Sequence, residues 1–290
     1  MSASDRSDPA GTRPPAASEF SGPAIPEAVE EALERHREHV AEVLPSGDAA
    51  AIKRLYVELG DLLETAVAGA PGDTPVLSLP ETAPVVLRLL DGVRGCILDA
   101  GCGPNPAVSI ALGRDEGRKM VALDIGLGTV RLARAIAERA GVRLLGVVAD
   151  VEALPFADGV FAGCVCDDTI EHLPNDRAGA AELSRVMTPG GRAVIATPNR
   201  HSIEVLWRKS ADRVRGRRLP QSAYYAASSH LREYTWTGLD RVLRPSFRVL
   251  GRASVGWAGG WKRRLATTLT KRPPLRSFSR MIVVAAEPRR

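Results

Sequence analysis

The stretch Ile97-Leu-Asp-Ala-Gly-Cys-Gly-Pro-Asn-Pro106 decides the fold of this 290-residue chain. It begins as an apolar run and ends as a glycine turn that opens a helix. The two glycines permit positive φ and a close backbone approach, Asn105 suits an N-cap, and Pro106 suits the first helical position. A strand that leads through such a turn into a helix indicates an α/β fold. The turn alone is a weak functional signal, because it is also typical of a purely structural connection.

Outward from this turn, short apolar runs alternate with amphipathic helices. Continuous apolar strands between helices favour a parallel sheet covered on both faces, because each crossover places a helix against the sheet. The segment from Arg200 to Arg232 reads as irregular and basic. The predicted strands are Cys96–Ala100, Lys119–Asp124, Leu144–Ala149, Val160–Cys166, Arg192–Thr197, Phe247–Val255 and Met281–Ala286. The predicted helices among them are Pro106–Leu112, Thr129–Ala140, Ala178–Met187 and Thr237–Leu243.

Helical periodicity also precedes the glycine turn. Apolar residues at helical spacing predict two helices, from Pro26 to Val43 and from Asp48 to Ala68, which form an N-terminal cap. A third helix, from Thr82 to Val93, leads into the first strand, with Thr82 as its N-cap. The predicted organisation is a disordered tail at residues 1–22, a helical cap at 23–94, and one main domain at 95–290 with insertions at 200–234 and 257–280.

The composition is that of a soluble protein. Hydrophobic residues make up 44% of the chain and charged residues 25%, and no apolar run approaches the ~20 residues that span a bilayer. The first twenty residues have no apolar centre, so we expect no secretory signal and a cytoplasmic location. Four cysteines lie in or beside predicted strands and are expected to be reduced core thiols. They are Cys96, Cys102, Cys164 and Cys166.

Charge is unevenly distributed along the chain. The part from Arg200 onward carries 21 Lys and Arg against 5 Asp and Glu, whereas residues 1–199 carry 18 against 29. Within the basic part, apolar residues recur every four positions between Trp257 and Arg272 and predict a basic amphipathic helix. Such a helix can rest on an anionic membrane, cover a phosphorylated substrate or pack on its own domain as a lid. No recognition motif accompanies the charge, so nucleic acid is not a predicted partner.

Acidic residues mark the ends of the first three strands. In a parallel sheet, ligands bind beyond the carboxyl ends of the strands, near the point where the strand order reverses. Asp124 lies 25 residues after Asp99, and its carboxylate can accept hydrogen bonds from both hydroxyls of a ribose. Asp150 is placed to accept a hydrogen bond from the exocyclic amine of adenine. Each acid singly is well explained as a solvated loop residue, but together they predict a nucleoside site.

The motifs around these acids resemble those of the class I S-adenosylmethionine-dependent methyltransferases, in particular the broad group that includes the ubiquinone and menaquinone methyltransferases. The resemblance rests on ILDAGCGPNP, VALDIG, VVADVEALPFADGVFAGCVCDDTIEHL and ELSRVMTPGGRAVIATPN, which span roughly Cys96 to Asn199. It implies a seven-stranded, mostly parallel Rossmann-like sheet with an antiparallel last strand. A dinucleotide-binding dehydrogenase fits less well, because the turn lacks GxGxxG spacing.

The resemblance also implies S-adenosylmethionine as cofactor. In that family the glycine turn cradles the methionine and ribose part, the acid at the Asp124 position binds the ribose, and the acid at the Asp150 position meets the adenine amine. Asn105 departs from the family pattern, because it replaces a common third glycine. The cofactor-binding residues predicted on this basis are Asp99, Gly101, Cys102, Gly103, Asn105, Asp124, Ile125, Asp150, Val151 and Asp167.

Two histidines are the candidate catalytic residues. Methyl transfer from a sulfonium is an in-line displacement, so alignment and exclusion of water supply much of the acceleration, and a base helps when the acceptor is a hydroxyl. His172, just after the fourth strand, is one candidate base, with packing or helix capping as the alternative. His230 is the other, with a surface-loop histidine as the alternative. The predicted substrate contacts, which the resemblance places after the fifth strand, are Tyr224, Tyr225 and Glu233.

The predicted function is methylation of a small molecule by an enzyme. The preferred acceptors are a secondary metabolite, a sugar or a prenyl-type compound, in an anionic or phosphorylated form, with O-methylation favoured. Two other interpretations stay open: methylation of a membrane-associated quinone or lipid by a peripheral protein, and cofactor binding without catalysis. The sequence predicts no metal site and leaves the oligomeric state undetermined.

Overall fold

The structure, a computed structural model, describes residues 27–68, 79–214, 230–256, 268 and 275–289. One seven-stranded sheet forms its centre. The strands are β1 (Gly95–Ala100), β2 (Arg118–Asp124), β3 (Leu144–Val148), β4 (Phe161–Asp167), β5 (Met187–Pro198), β6 (Phe247–Val255) and β7 (Met281–Pro288). The helices are α1 (Glu27–Val43), α2 (Ala49–Ala68), α3 (Ala83–Leu89), α4 (Ala107–Gly113), α5 (Leu127–Arg139), α6 (Asp176–Arg185), α7 (Ile203–Val214) and α8 (Trp236–Leu243).

The strand order of the sheet is β3-β2-β1-β4-β5-β7-β6. Strands β1 to β5 are mutually parallel, and β7 lies antiparallel between β5 and β6. The predicted fold class, a mostly parallel seven-stranded sheet with an antiparallel last strand, is therefore confirmed. The order reverses between β1 and β4, so a ligand crevice is expected at the carboxyl ends of these two strands.

The central strands of the sheet are buried on both faces. Ile97 packs into the core shared with α3, α4 and α5, whereas its neighbour Leu98 packs into the core shared with α6 and α8. This alternation follows from strand geometry, in which successive side chains point to opposite faces. Because both sets of side chains are covered, the strands appear in sequence as continuous apolar runs.

Two cap helices precede the sheet, as predicted, and the second packs against α5. A Cβ atom at Gly60 would lie 2.7 Å from the hydroxyl oxygen of Thr129, and a Cβ atom at Gly128 would overlap the Gly60 backbone. The missing side chains at Gly60 and Gly128 therefore allow α2 to lie directly on the start of α5. This contact positions α2 beside the carboxyl end of β2.

The segment from Arg200 to Arg232 is predicted to be irregular. The structure differs from this prediction, because α7 occupies Ile203–Val214. The Ser202 hydroxyl accepts a hydrogen bond from the Val205 N–H at 3.2 Å, which satisfies one of the free donors at the helix start. A serine directly before residues at helical spacing indicates the start of a helix. The many basic residues of this segment made that signal hard to recognise.

The region around Thr82 also differs from prediction. Thr82 occupies the N-cap position of α3, as predicted, but its side chain accepts no capping hydrogen bond, and its hydroxyl donates to Asp167 on β4. The helix that follows is shorter than predicted and ends at Leu89. Strand β5 is longer than predicted, because an irregularity in its pairing with β4 extends it back to Met187.

Several predictions fall on residues outside the described ranges. These are the disordered tail at 1–22, the substrate residues Tyr224 and Tyr225, and the basic amphipathic helix at 257–272 apart from Thr268. Within the described ranges, no helix has both the length and the apolar composition that crossing a bilayer requires. All four cysteines are unpaired, and three of them are buried while Cys96 is half-buried.

Candidate active site

A cavity of about 440 Å³ opens at the carboxyl ends of the parallel strands, beneath helix α2. This volume lies within the range of small-molecule sites. The cavity lies where the strand order reverses, which is the position that the topology predicts. Six of the cofactor-binding residues predicted from the sequence line it: Gly101, Gly103, Asp124, Ile125, Asp150 and Val151.

Asp124 joins two loops at the floor of the cavity. One carboxylate oxygen accepts a hydrogen bond from the Gly103 N–H at 3.1 Å, and the other accepts one from the Gly126 N–H at 3.0 Å. Burial raises the pKa of Asp124, and these backbone hydrogen bonds oppose the rise. Each oxygen of an ionised carboxylate can accept a further hydrogen bond. Asp124 therefore has the capacity to bind two more donors at the cavity wall.

The glycine turn needs its first glycine for two separate reasons. Gly101 has φ of 76°, in the left-handed region. A Cβ atom there would also overlap the side chain of Thr169, whose hydroxyl donates to the Gly101 carbonyl at 3.2 Å. The end of β1 thus lies in direct contact with the turn after β4.

Asp150 is held by a lysine from the cap. Lys53 on α2 places its Nζ 2.6 Å from a carboxylate oxygen of Asp150 and 2.6 Å from one of Glu152. The other Asp150 oxygen accepts a hydrogen bond from the Glu152 N–H at 2.8 Å. Sequence reasoning missed Lys53, because nothing in the pattern of α2 distinguishes it from a solvated lysine. The ion pairs tie the cap helix to the loop after β3.

The remaining predicted cofactor residues, Asp99, Cys102, Asn105 and Asp167, do not line the cavity. Asp99 is buried, and its carboxylate accepts a hydrogen bond from the Ser109 hydroxyl on α4 at 2.6 Å. Burial raises its pKa to about 6. Cys102 is also buried, and burial raises the pKa of its thiol.

Asn105 and Asp167 likewise bond within the protein. The Asn105 side chain accepts a hydrogen bond from the Ala107 N–H at 3.2 Å, but the prediction that Asn105 is the N-cap of α4 is wrong, because Asn105 lies one residue too early. The helix begins at Ala107, with Pro106 in the N-cap position. Asp167 accepts from the Thr82 hydroxyl, and burial together with the neighbouring Asp168 raises its pKa. These residues support the turns instead of facing the cavity.

Asp168 is the acid of the Asp167-Asp168 pair that lines the cavity. It is also the one non-glycine residue with a positive φ, 49°, within the described part of the chain. Such a conformation is unfavourable for an ordinary side chain and is concentrated at functional sites. Asp167 is the acid of this pair that the sequence predicts to bind the cofactor, whereas in the structure Asp168 lines the cavity.

The two candidate histidines are in contact, but only His172 lines the cavity. Their rings pack edge to face with centroids 4.9 Å apart, and His172 lines the cavity wall. A backbone hydrogen bond of 3.2 Å from the Leu231 N–H to the Glu171 carbonyl holds the two segments together. His230 is therefore not a surface-loop histidine. Burial lowers its pKa to about 4, so its ring is neutral at pH 7.

Tyr56 is a second contribution of α2 that the sequence did not reveal. Its hydroxyl lies 2.7 Å from Nδ1 of His172, and the two rings pack edge to face. Burial and the neighbouring Glu171 raise the pKa of Tyr56, so the phenol stays protonated. Because Lys53 and Tyr56 are three residues apart, they share one face of the helix. That face covers the cavity.

Glu171 and Glu233 are buried acids beside this cluster. Glu171 is fully buried, and one of its carboxylate oxygens accepts from the Thr197 hydroxyl at 2.9 Å. Burial and the neighbouring Asp168 raise its pKa. Glu233, a predicted substrate contact, is also buried and does not line the cavity.

Part of the chain that forms this site is similar to known proteins. Residues 98–195 match the family described as a methyltransferase domain. The chain is 33% identical over 108 residues to a ubiquinone biosynthesis O-methyltransferase of Erwinia tasmaniensis, covering 37% of this chain and 43% of that protein. It is 31% identical over 99 residues to a demethylmenaquinone methyltransferase of Thermus thermophilus, covering 34% and 45%. The chain thus spans less than half the length of these relatives.

The fold is shared with solved structures. The crystal structure of magnesium protoporphyrin IX methyltransferase from Synechocystis, with bound S-adenosylhomocysteine, aligns with a TM-score of 0.52 at 15% identity. The alignment covers 72% of this chain and 83% of that one. At this level of identity the likeness shows a common fold.

Proposed function

We propose that this chain, which carries the methyltransferase domain and fold of the class I S-adenosylmethionine-dependent methyltransferases, binds S-adenosylmethionine in the cavity and methylates a small acceptor beside His172. One observation carries the proposal. The glycine turn, Asp124 and Asp150, which follow three adjacent strands, all line a single cavity that also contains His172. The parallel sheet explains this convergence, because the carboxyl ends of its strands share one edge.

The residues of the cavity fit this cofactor. Gly101 and Gly103 present backbone without side chains at the turn, which suits the methionine and ribose part. Asp124 has the remaining acceptor capacity that two ribose hydroxyls need. Ile125 and Val151 supply apolar side chains beside an adenine ring. When bound, S-adenosylmethionine supplies a methyl group on a sulfonium that a nucleophile displaces.

His172 and Tyr56 are placed to handle the proton of a hydroxyl acceptor. When His172 carries its proton on Nδ1, it donates to the Tyr56 oxygen, and Nε2 is left with a lone pair that can accept a proton. With the cofactor bound, Nε2 would take the proton of an acceptor hydroxyl while the methyl–sulfur bond broke, the methyl group passed to the acceptor oxygen and S-adenosylhomocysteine was the leaving group. This arrangement favours O-methylation. Helix α2 covers the cavity and limits the access of water.

The uneven distribution of charge along the chain supports one class of acceptor. The excess of Lys and Arg after Arg200 favours an anionic or phosphorylated small molecule, including a prenyl-type compound or a sugar. The curated relatives, named for ubiquinone biosynthesis and demethylmenaquinone, support a second candidate, a quinone presented at a membrane surface. We propose that the protein works in the cytoplasm in the first case and at the membrane surface in the second.

The test combines binding with turnover. We expect isothermal titration calorimetry to show one site for S-adenosylhomocysteine. We also expect labelled methyl transfer to at least one compound in a panel of phenols, sugars, prenyl phosphates and quinols, with a mass gain of one methyl group. Absence of cofactor binding would overturn the proposal. Binding without transfer to any compound would instead favour a cofactor-binding protein without catalysis.

Replacing Tyr56 with Phe should lower kcat by about tenfold with little change in cofactor affinity. The phenol orients His172, and general base catalysis is worth about 10²–10⁴ in rate, of which orientation is a part. The pH profile of kcat should change with it, because the hydrogen bond at Nδ1 influences proton uptake at Nε2. Steady-state kinetics with an active acceptor measures both.

Tyr234 provides the matched control for Tyr56. Its hydroxyl donates to Asp176 at 2.6 Å and lies 3.4 Å from the Ile170 carbonyl, so it contacts the backbone of the turn but not the His172 ring, and it does not line the cavity. Tyr234→Phe should therefore leave kcat and its pH profile unchanged. If Tyr56→Phe behaves in the same way, Tyr56 has only a packing role.

Replacing Lys53 with Met should weaken S-adenosylhomocysteine binding by about fivefold, measured by calorimetry. The two ion pairs join α2 to the loop after β3, but the lysine is partly exposed, so we expect them to contribute about 1 kcal/mol. Lys119→Met, at an exposed position at the start of β2, serves as the control. Equal affinities for the two variants would show that this link does not assist cofactor binding.

A further inference from the structure

We propose that Glu171, His172 and His230 form a binding site for a divalent metal ion. One ligand atom of each residue, a carboxylate oxygen or a ring nitrogen, lies within 4.8 Å of the other two. Two imidazoles and one carboxylate are a common ligand set for divalent transition ions. The sequence predicted no metal site, because His230 follows His172 by 58 residues and matches no spaced metal motif.

The fold brings these residues together through backbone contacts. Glu171 and His172 lie in one turn of 3-10 helix, Ile170–His172, directly after β4. The chain returns to this turn at Leu231, whose N–H donates to the Glu171 carbonyl at 3.2 Å. Tyr234 strengthens the contact, since its backbone pairs with Asn199 at the end of β5. The position of His230 beside the turn is therefore built into the backbone.

Two polar atoms in the cluster are buried without hydrogen-bond partners. Within the described ranges, Oε1 of Glu171 and Nδ1 of His230 are buried and have no hydrogen-bond partner by geometry, although the Glu171 carboxyl also interacts with the Asp168 side chain. Glu171 has no exposed surface at all. A buried polar group without a hydrogen-bond partner destabilises the folded protein. A metal ion bound at the cluster would supply a partner to a buried carboxylate and a neutral imidazole together.

The side chains that would coordinate the metal are themselves held by hydrogen bonds from neighbouring side chains, as metal ligands commonly are. The Thr197 hydroxyl donates to one oxygen of Glu171 at 2.9 Å, and the Tyr56 hydroxyl lies 2.7 Å from Nδ1 of His172, so Nε2 is the ring nitrogen that would coordinate the metal. Such contacts orient metal ligands and fix the histidine tautomer. Imidazole ligands favour Zn²⁺, Co²⁺, Fe²⁺ or Mn²⁺ over Mg²⁺ and Ca²⁺, which prefer oxygen.

The role of the metal rests on the proposed function, whereas its binding does not. His172 lines the cavity, so a metal on its ring nitrogen would have coordination positions open to an acceptor oxygen. A metal-bound hydroxyl loses its proton more readily. In the metal-bound protein, His172 is then a ligand, and the hydroxyl proton passes to solvent.

The test uses the full chain without an affinity tag, dialysed against EDTA and titrated with Co²⁺. We expect visible absorption bands that saturate at one equivalent, and displacement of the bands by Zn²⁺. His230→Gln and Glu171→Gln should each weaken Co²⁺ binding by at least about tenfold. His201→Gln is the matched control, because His201 is exposed and outside the cluster.

Calorimetry with S-adenosylhomocysteine on the same variants separates the two proposals and shows that each variant is folded. Loss of Co²⁺ binding with retained cofactor binding supports the metal site. Absence of saturable Co²⁺ binding to the unaltered chain would overturn it, and an ordered water would then explain the unpartnered atoms. Undiminished Co²⁺ binding in His230→Gln, the milder variant, would also overturn it. Failure of cofactor binding in the unaltered chain would contradict the proposed function alone.

Discussion

Asp124→Ala is expected to weaken S-adenosylhomocysteine binding by about 100-fold or more, the largest effect on affinity at this site. The carboxylate would accept hydrogen bonds from two ribose hydroxyls, and hydrogen bonds to charged groups are worth about 1.5–3 kcal/mol each. The substitution also removes the partners of the Gly103 and Gly126 N–H groups, so the glycine turn loses its tie to the loop after β2. Calorimetry measures the change in dissociation constant.

Two further variants make the Asp124 experiment specific. Asp124→Asn keeps the shape and one acceptor oxygen, so it should weaken binding less than Asp124→Ala does. Asp158→Ala removes a carboxylate whose side chain is 79% exposed, away from the cavity, and should leave the affinity unchanged. A folded Asp124→Ala protein with unchanged affinity would mean that the cofactor does not bind in this cavity.

Gly101→Ala is expected to lower the free energy of unfolding by about 3 kcal/mol, the largest effect on stability. The left-handed conformation at φ of 76° disfavours any Cβ atom by about 1–2 kcal/mol. The same Cβ atom would overlap the Thr169 side chain, and overpacking of this kind costs about 1–3 kcal/mol. Urea denaturation followed by circular dichroism measures the loss.

Gly92 separates these two costs. Its φ of 74° is nearly the same, but a Cβ atom there would meet nothing within 4 Å. Gly92→Ala should therefore show the conformational cost alone. In the Gly101→Ala protein, Thr169→Ala should recover part of the lost stability, because it removes most of the overlapping atoms. Equal losses for the two glycine variants would contradict a close contact between the β1 and β4 turns.

The local sequence pattern was sufficient to predict the strands and many of the residues that line the cavity. Apolar runs identify buried parallel strands, and the residue after each run lies at the carboxyl edge of the sheet whatever the order of the strands. Gly101, Gly103, Asp124 and Asp150 could be assigned to one site for this reason. The assignment needed only the periodicity and the rule that parallel strands share an edge.

The same reasoning could not predict the direction in which a side chain points within a turn. Asp167 and Asp168 are adjacent acids, but Asp167 turns inward to Thr82, whereas Asp168 adopts a positive φ and lines the cavity. Asp99 is likewise committed to Ser109 in the interior. Side-chain direction at the end of a strand depends on backbone angles and on partners from other elements, which periodicity does not encode.

Periodicity and the residues after each apolar run were enough to predict the α/β class, the seven strands and the loops that line the cavity. The side chains that face those loops depend on tertiary packing. It places Lys53 and Tyr56 of α2 over the cavity and His230 against His172. These neighbours are separated by 58 or more residues along the chain. Local propensities act within a few residues, so such contacts arise only when the cap and the segment after α7 pack against the completed sheet.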